Sequence, residues 1–377
     1  MRIDMTAQAG GEGGRFEDRR RALAFAIYTV FLLPSVGVAL SLGREWGAVA
    51  LLTLPVLLGA RGRPRVFGAA MVAGGILLRL SFSFTGVYTD GIEAAQLAWN
   101  EVLGGLNPYG HVLAGASQSN TIYPYGPLAL LAYAPGYWTE IAAAAVLLVV
   151  IARERAWLTL AFVSAFPFLV RATVNGQNDV LPCLLILLAM LSARTRTSRA
   201  VAVSAALLAV AIAVKPYAAA WAPALIGLGG FDAALVLAGV SLVLWSPVLL
   251  VWGVASFLDS ERLQLTHHPD HGIALNVPIL QLAAGPIALA GLFVRSWRAM
   301  FWAGLGVFLV FLYFSPWADW GYLEGIGPVA FVILETWAME RRPGREAAAG
   351  SSHTNGDAAT GDGHARIPAA VTPGEVA

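Results

Sequence analysis

Three basic residues lie in or beside apolar stretches of the sequence, where a charge is costly. Arg79 and Arg171 fall inside apolar runs, and Lys215, the only lysine, directly follows one. A charge in a membrane segment either extends to the lipid surface or meets a counter-charge. For each residue alone the first explanation is the ordinary one. Because all three fall at the same predicted depth, together they favour a binding site for an anion such as phosphate.

Asp90 is the acidic residue whose surroundings best fit acid–base chemistry. It follows the third apolar run and begins a stretch to Leu103 with the spacing of an amphipathic helix on the membrane surface. The segment 90–93, Asp-Gly-Ile-Glu, also fits a capping box, in which the carboxylate binds backbone N–H groups of the first turn. The other interpretation is a general base held at the boundary between water and lipid. The two are compatible, because a capped carboxylate is also a positioned one.

A second polar segment, residues 175–179, reads Asn-Gly-Gln-Asn-Asp between two apolar runs. An ordinary tight turn explains it, but the amides of Asn175 and Gln177 could also bind sugar hydroxyls. Asp179 is then a second candidate acid. Lys215 precedes a proline, which ends a helix and leaves carbonyl groups that a cation can satisfy. That role for Lys215 and phosphate binding are both open.

The loop 253–277 carries His267 and His268 in the segment Thr-His-His-Pro-Asp-His. A solvated loop is the default explanation. The spacing matches no zinc pattern, so we expect no metal and no cofactor. One histidine that assists proton transfer or binds phosphate is the alternative.

The composition identifies the environment in which these residues must work. Of the 377 residues 58% are hydrophobic and only 12% charged, about half the charge of a soluble domain. Lipid, rather than a soluble core, accommodates so much apolar sequence. The net charge of +1 gives no basic surface for nucleic acid.

The apolar runs predict an all-α, polytopic bundle of about 10–12 transmembrane helices, with a large extracytoplasmic loop, 86–126, after the third span. Residues 1–20 and 341–377 are polar or rich in small residues, so we expect disordered cytoplasmic ends around a domain 21–340. The runs are 23–42, 47–60, 66–85, 128–151, 157–174, 180–193, 200–214, 217–230, 233–252, 277–294, 299–316 and 322–338.

Arginine clusters give the sidedness, because cytoplasmic loops carry an excess of basic residues. If the protein lies in the plasma membrane with both termini in the cytoplasm, 19 of its 24 basic residues fall on the cytoplasmic side. The exceptions are Arg44, Arg79, Arg171, Lys215 and Arg262. The acid, amide and aromatic motifs therefore share the outer face.

In their order, these motifs resemble the GT-C polytopic glycosyltransferases, most closely the polyprenyl-phosphate-mannose-dependent mannosyltransferases. The resemblance covers residues 66–252. It rests on an acid after an apolar span, then Gly-Gly-Leu-Asn-Pro-Tyr, Tyr-Pro-Tyr-Gly-Pro-Leu, Asn-Gly-Gln-Asn-Asp and Lys-Pro-Tyr. By position, Asp90 matches the family's usual base, Asn107 and Tyr109 its Asn-Pro-Tyr element, and Gln177 and Lys215 its Gly-Gln and Lys-Pro elements.

The resemblance implies a hexosyltransferase that moves a hexose from a polyprenyl-phosphate donor to a lipid or glycan acceptor outside the cytoplasm. We expect the sugar to be mannose and the transfer to invert the anomeric carbon. The partners it implies are the bilayer, the lipid-linked sugar and the acceptor. The sequence departs from the family pattern because two spans precede the one that the acid follows, whereas the family usually places the acid after its first span. A transporter or flippase of a lipid-linked saccharide is the main alternative, and a non-catalytic scaffold is a third.

Overall fold

The computed structural model describes residues 6–83, 90–118, 120–267, 272–316, 318 and 320–340, without the side chains of 6–13, 90, 265–267 and 278. Within these ranges the chain is all-helical and has no β-strand, which confirms the predicted all-α class. The α-helices are α1 (Thr6–Ser41), α2 (Trp46–Val49), α3 (Thr53–Gly59), α4 (Pro64–Phe82), α5 (Asp90–Leu103), α6 (Pro127–Ala132), α7 (Trp138–Arg153), α8 (Trp157–Ala165), α9 (Pro167–Val174), α10 (Val180–Ser192), α11 (Ser198–Val214), α12 (Ala222–Pro247), α13 (Val254–His267), α14 (Ala284–Gly291), α15 (Trp297–Tyr313) and α16 (Trp320–Glu340).

Among the described residues, three helical segments are long and apolar enough to cross a membrane: Gly14–Ser41, Pro64–Phe82 and Pro216–Trp252. A fourth results if α8 and α9, which meet at a bend of 60°, count as one span. Further apolar helices in the described part have only 10–17 residues, fewer than the roughly 20 that a bilayer requires. The described part of the chain therefore contains helices that could cross a membrane, whereas the full count of 10–12 spans stays a prediction.

The outer surface of these helices also fits a lipid environment. Large apolar side chains along the segment Pro216–Trp252 face outward, among them Leu242, Val243 and Leu250. Soluble monomers rarely expose contiguous apolar surface of this kind. Lipid solvates such side chains without cost.

Several predicted runs are interrupted by proline or glycine. The run 128–151 divides into α6 and α7 at Pro135 and Gly136, where Gly136 has a positive φ of 70°. Pro167 breaks the run 157–174, because a proline cannot continue the hydrogen-bond pattern of the preceding turn. Gly230, with φ 65°, kinks α12. Hydropathy locates apolar runs but not their bends.

The first helix corrects one prediction. Disorder over residues 1–20 is wrong for 6–20, because α1 begins at Thr6. Two side chains in this stretch have partners elsewhere in the fold: Glu17 accepts a hydrogen bond from the Trp157 indole, and Arg20 forms an ion pair with Glu335 of α16. These contacts supply the tertiary stabilisation that composition alone does not reveal. Residues 341–377 lie outside the described part of the chain.

The core has two parts. The larger one fills the space between the apolar helices. The smaller one, which we call the loop core, packs α5 and the segment 109–123 on α6 and on Val248 at the end of the Pro216–Trp252 segment. Its centre is Ile92, Tyr109 and Tyr123, all buried. The loop core holds the long loop, and with it the start of α5, against the helix bundle.

Candidate functional site

A buried ion pair joins two of the sequence-predicted residues. The ammonium group of Lys215 lies 2.7 Å from Oδ1 of Asp179, and the two side chains are only 5% and 8% exposed. Lys215 follows the last residue of α11 because Pro216 prevents the helix from continuing. Asp179 precedes the first residue of α10. Two helix ends 36 residues apart in the sequence thus meet through their charges.

Three aromatic rings, which we call the tyrosine cage, surround the Lys215 ammonium. The ring centres of Tyr125, Tyr217 and Tyr322 lie 5.2, 5.6 and 5.1 Å from it, within the range of cation–π attraction. The Tyr217 hydroxyl donates a hydrogen bond of 3.2 Å to Asp179. The cage stabilises a buried cation without neutralising it.

Glycines of α16 allow that helix to approach the segment 175–179. A Cβ atom on Gly321 would lie 3.0 Å from Cδ of Gln177, and one on Gly325 would lie 2.9 Å from Cβ of Asp179. The spacing Gly-x-x-x-Gly places both on one helix face, the arrangement that permits close helix packing in membranes. The same close approach puts Tyr322 into the tyrosine cage.

Arg79 lies beside the ion pair, in a small enclosed space. Its buried guanidinium donates hydrogen bonds to Thr173 Oγ1 and to the carbonyl oxygens of Gly75 and Val163. With Gln177, Asp179 and Glu324 it lines a cavity of about 20 Å³. That is room for about one water molecule, so a sugar or phosphate could enter only after α16 or the segment 175–179 moves.

The start of α5 contacts the same segment. The backbone N–H of Ile92 donates to the carbonyl of Gly176 at 2.9 Å, and a Cβ on Gly91 would lie 3.2 Å from the Tyr125 hydroxyl. The backbone of Asp90 is therefore next to the tyrosine cage. The Asp90 side chain lies outside the described part. Glu93, the other member of the expected capping box, instead accepts a hydrogen bond from the Ser117 N–H.

The Asn-Pro-Tyr element supports the site rather than lining it. The Asn107 amide donates to the Trp252 carbonyl at 3.0 Å and its oxygen accepts from the Tyr109 N–H. The Tyr109 hydroxyl donates to the Tyr125 carbonyl at 3.1 Å. Asn107 and Tyr109 are thus positioning residues, which hold the loop and the cage residue Tyr125.

The structure places the remaining candidate residues in different surroundings. Among the described contacts, Oδ1 of Asn175 and Nδ2 of Asn178 are buried without a hydrogen-bond partner. Such groups are costly unless a ligand or water satisfies them. Arg171 is exposed and does not line the cavity, so the structure does not unite all three predicted cations. The side chain of His267 and all of His268 lie outside the described residues.

Glu140 is a structurally important acid that the sequence interpretation missed. Its buried carboxylate accepts hydrogen bonds from the Tyr133 hydroxyl at 2.7 Å and from the N–H groups of Val180 and Leu181. It thereby satisfies the first turn of α10 and fixes the helix end that carries Asp179. An acid inside the apolar run 128–151 was a visible signal for such a role.

A second missed acid, Glu261 of α13, lies near the loop core outside the predicted spans. Burial raises the pKa of its carboxyl to about 7. Burial, and in second place the charge of Glu261, raises the pKa of the Tyr109 hydroxyl. Phe257 of the same helix packs edge-on against Tyr109 at 5.5 Å between ring centres. The α13 helix therefore covers the loop core through one acid that is poorly hydrated.

We expect the stability of this contact to decrease as the pH rises. The folded-state pKa of Glu261 exceeds its ordinary value of 4.5, so its contribution is fully present below about pH 4.5 and is lost as the pH rises through about 7. At about pH 8 in detergent, Glu261→Gln should raise the melting temperature and flatten its pH profile. The gain in the free energy of unfolding should be about 2 kcal/mol, once the pKa shift is discounted for the partial exposure of the carboxyl. Asp259→Asn, an exposed acid of the same helix, is the control. An equal gain in both variants would contradict this origin.

Comparison with known proteins adds no relationship, since no family model, curated protein or solved structure matches the chain. The residues themselves therefore carry the functional argument.

Proposed function

We propose that the chain is a membrane glycosyltransferase of the GT-C type, which moves a hexose from a polyprenyl-phosphate sugar to a lipid or glycan acceptor on the extracytoplasmic face of the plasma membrane. The observation that carries the proposal is the caged Lys215–Asp179 pair beside the start of α5. A cation for a phosphate, aromatic surfaces for a sugar and an acid for a proton are then close together. The order of the sequence motifs supports the same class.

Lys215 has the donors that a phosphate needs. An ammonium group has three N–H donors, and Asp179 accepts one of them. The faces of the tyrosine cage attract the cation but leave its other donors available to a stronger acceptor. We propose that the leaving phosphate of the donor lipid takes these donors when the site opens.

In the proposed reaction, the acceptor hydroxyl attacks the anomeric carbon while the bond from that carbon to the phosphate oxygen breaks. The phosphate leaves with the bonding electrons, and Lys215 and Arg79 stabilise its charge. Asp90 takes the proton of the hydroxyl. Attack opposite to the leaving group inverts the anomeric configuration. No metal ion or cofactor is needed in this scheme.

Asp90→Asn tests the proposal directly. With radiolabelled polyprenyl-phospho-mannose and envelope lipids in vesicles, we expect transfer to fall by a factor of about 10² to 10⁴, because a positioned general base contributes that much. Asp259→Asn, an exposed acid in α13, should transfer at the wild-type rate. Wild-type transfer by a folded Asp90→Asn protein would exclude Asp90 as the base.

A transporter of lipid-linked saccharides is a second candidate, favoured by the broken helices. Transporters often bind substrate where helices are interrupted, and the chain has a 60° bend between α8 and α9 and a kink at Gly230. A cysteine at Gln177 distinguishes the two, since the native Cys183 is buried. Labelling from both sides of the membrane supports a transporter, and labelling from the outer side alone supports the transferase.

A further inference from the structure

A groove between α4 and α7 has a polar end and an apolar end. None of its lining residues belongs to the tyrosine cage. Its volume is about 630 Å³. The apolar part is lined by small and branched residues of α4, from Gly68 to Ile76, facing Val149 of α7. Three arginines, Arg65, Arg153 and Arg155, line the other part.

The arginines have no counter-charge in the described structure. All three are exposed, and no hydrogen bond or ion pair of their side chains occurs among the described residues. Glu154, the acid between two of them, pairs with Arg194 at 2.6 Å instead. The first turn of α4 contains no acid either, although a helix N-terminus attracts negative charge. This end of the groove therefore favours an anion.

The groove has a depth that matches one leaflet of a bilayer. Arg65 and Ile76 both line it, and eleven residues of helix span about 16 Å. The hydrocarbon core of a bilayer is about 30 Å thick, so one leaflet is about half of that. Gly68 lets α4 pack closely against Trp157, because a Cβ there would lie 3.1 Å from the Trp157 ring.

We propose that this groove binds one anionic phospholipid, with its phosphate among Arg65, Arg153 and Arg155 and an acyl chain along α4. Basic pockets between transmembrane helices recognise anionic headgroups in this way. A soluble anion would use the arginines but not the apolar wall, and a zwitterionic lipid would leave their charge unbalanced. The predicted sidedness places the lipid in the cytoplasmic leaflet. The site is independent of the proposed glycosyltransferase activity.

Native mass spectrometry of the detergent-solubilised full chain, titrated with dioleoyl phosphatidylglycerol or dioleoyl phosphatidylcholine, tests the proposal. We expect one tight phosphatidylglycerol adduct on the wild-type protein. The variant Arg65→Gln/Arg153→Gln/Arg155→Asn should bind it about 100-fold more weakly, since each arginine near a lipid surface contributes about a factor of 5. Asparagine is chosen at Arg155, where φ is 56°, because it tolerates this conformation.

Two further variants separate the groove from general charge. Arg19→Gln/Arg63→Gln/Arg199→Gln removes three exposed arginines outside the groove and should leave the adduct unchanged. Ala69→Trp fills the apolar wall without changing charge and should remove the adduct while the melting temperature stays the same. Equal loss in both arginine variants, equal binding of the two lipids, retention of the adduct by Ala69→Trp, or its displacement by inorganic phosphate would overturn the proposal.

Discussion

Asp179→Asn should lower the free energy of unfolding by about 3 to 5 kcal/mol, since removing one partner of a buried ion pair leaves the other charge uncompensated. The remaining ammonium of Lys215 would be only 5% exposed, and the tyrosine cage offers it no anion. Lys215→Met should cost a similar amount through the stranded Asp179 carboxylate. Thermal or denaturant unfolding in detergent measures both.

The double variant Asp179→Asn/Lys215→Met provides the control. Because neither charge remains, we expect much of the lost stability to return, so that the double variant is more stable than the sum of the single changes implies. Additive losses would contradict a direct ion pair. The double variant should still be inactive in sugar transfer, because it lacks the Lys215 ammonium that we propose binds the phosphate. Activity of the double variant would refute that role for Lys215 while leaving the structural one intact.

Gly126→Ala should be about as damaging, at about 3 kcal/mol, a cost typical of severe overpacking. A Cβ atom on Gly126 would lie 2.2 Å from the carbonyl oxygen of Ala213 and 2.6 Å from its carbon. These are backbone atoms just before Lys215, so no side-chain rotation can relieve the contact. The loop must move away from α11, and it carries Tyr125 out of the tyrosine cage.

To check this, the melting temperature is measured together with the fluorescence or chemical labelling of the residues around the tyrosine cage. Gly285→Ala, where nothing lies within 4 Å of the new atom, should leave the protein unchanged or stabilise it slightly as a better helix former. A Gly126→Ala protein as stable as Gly285→Ala would mean that the loop does not pack against α11.

Much of the site was predictable because polar groups in an apolar sequence are rare. Residue type and position in the sequence indicate Arg79, Gln177, Asp179 and Lys215, and the structure brings them together around one ion pair and one cavity. The partner of Lys215 was not predictable, since a local pattern does not specify which helix ends meet. Arg171 shows the same limit, because depth does not determine the direction in which a side chain points.

The sequence also contains signals for other features of the structure. The spacing of Gly321 and Gly325 indicates close helix packing, and the acid Glu140 in an apolar run indicates a buried partner. Hydropathy does not specify the exact lengths of the helices. At Gly136 the backbone has a positive φ of 70°, and the Gln96 side chain packs so closely that an added Cβ would lie 2.9 Å from its Nε2.

The contact between Arg20 and Glu335 has a consequence for the order of assembly. Glu335 of α16 also accepts hydrogen bonds from the backbone N–H groups of Leu158 and Thr159, so one carboxylate joins the first, the eighth and the sixteenth helix. Arg20 in the first helix therefore lacks the Glu335 carboxylate until nearly all of the chain has been synthesised. We expect α16 to complete these contacts last. The bundle should become resistant to proteolysis only after α16 has left the ribosome and packed against α1 and α8.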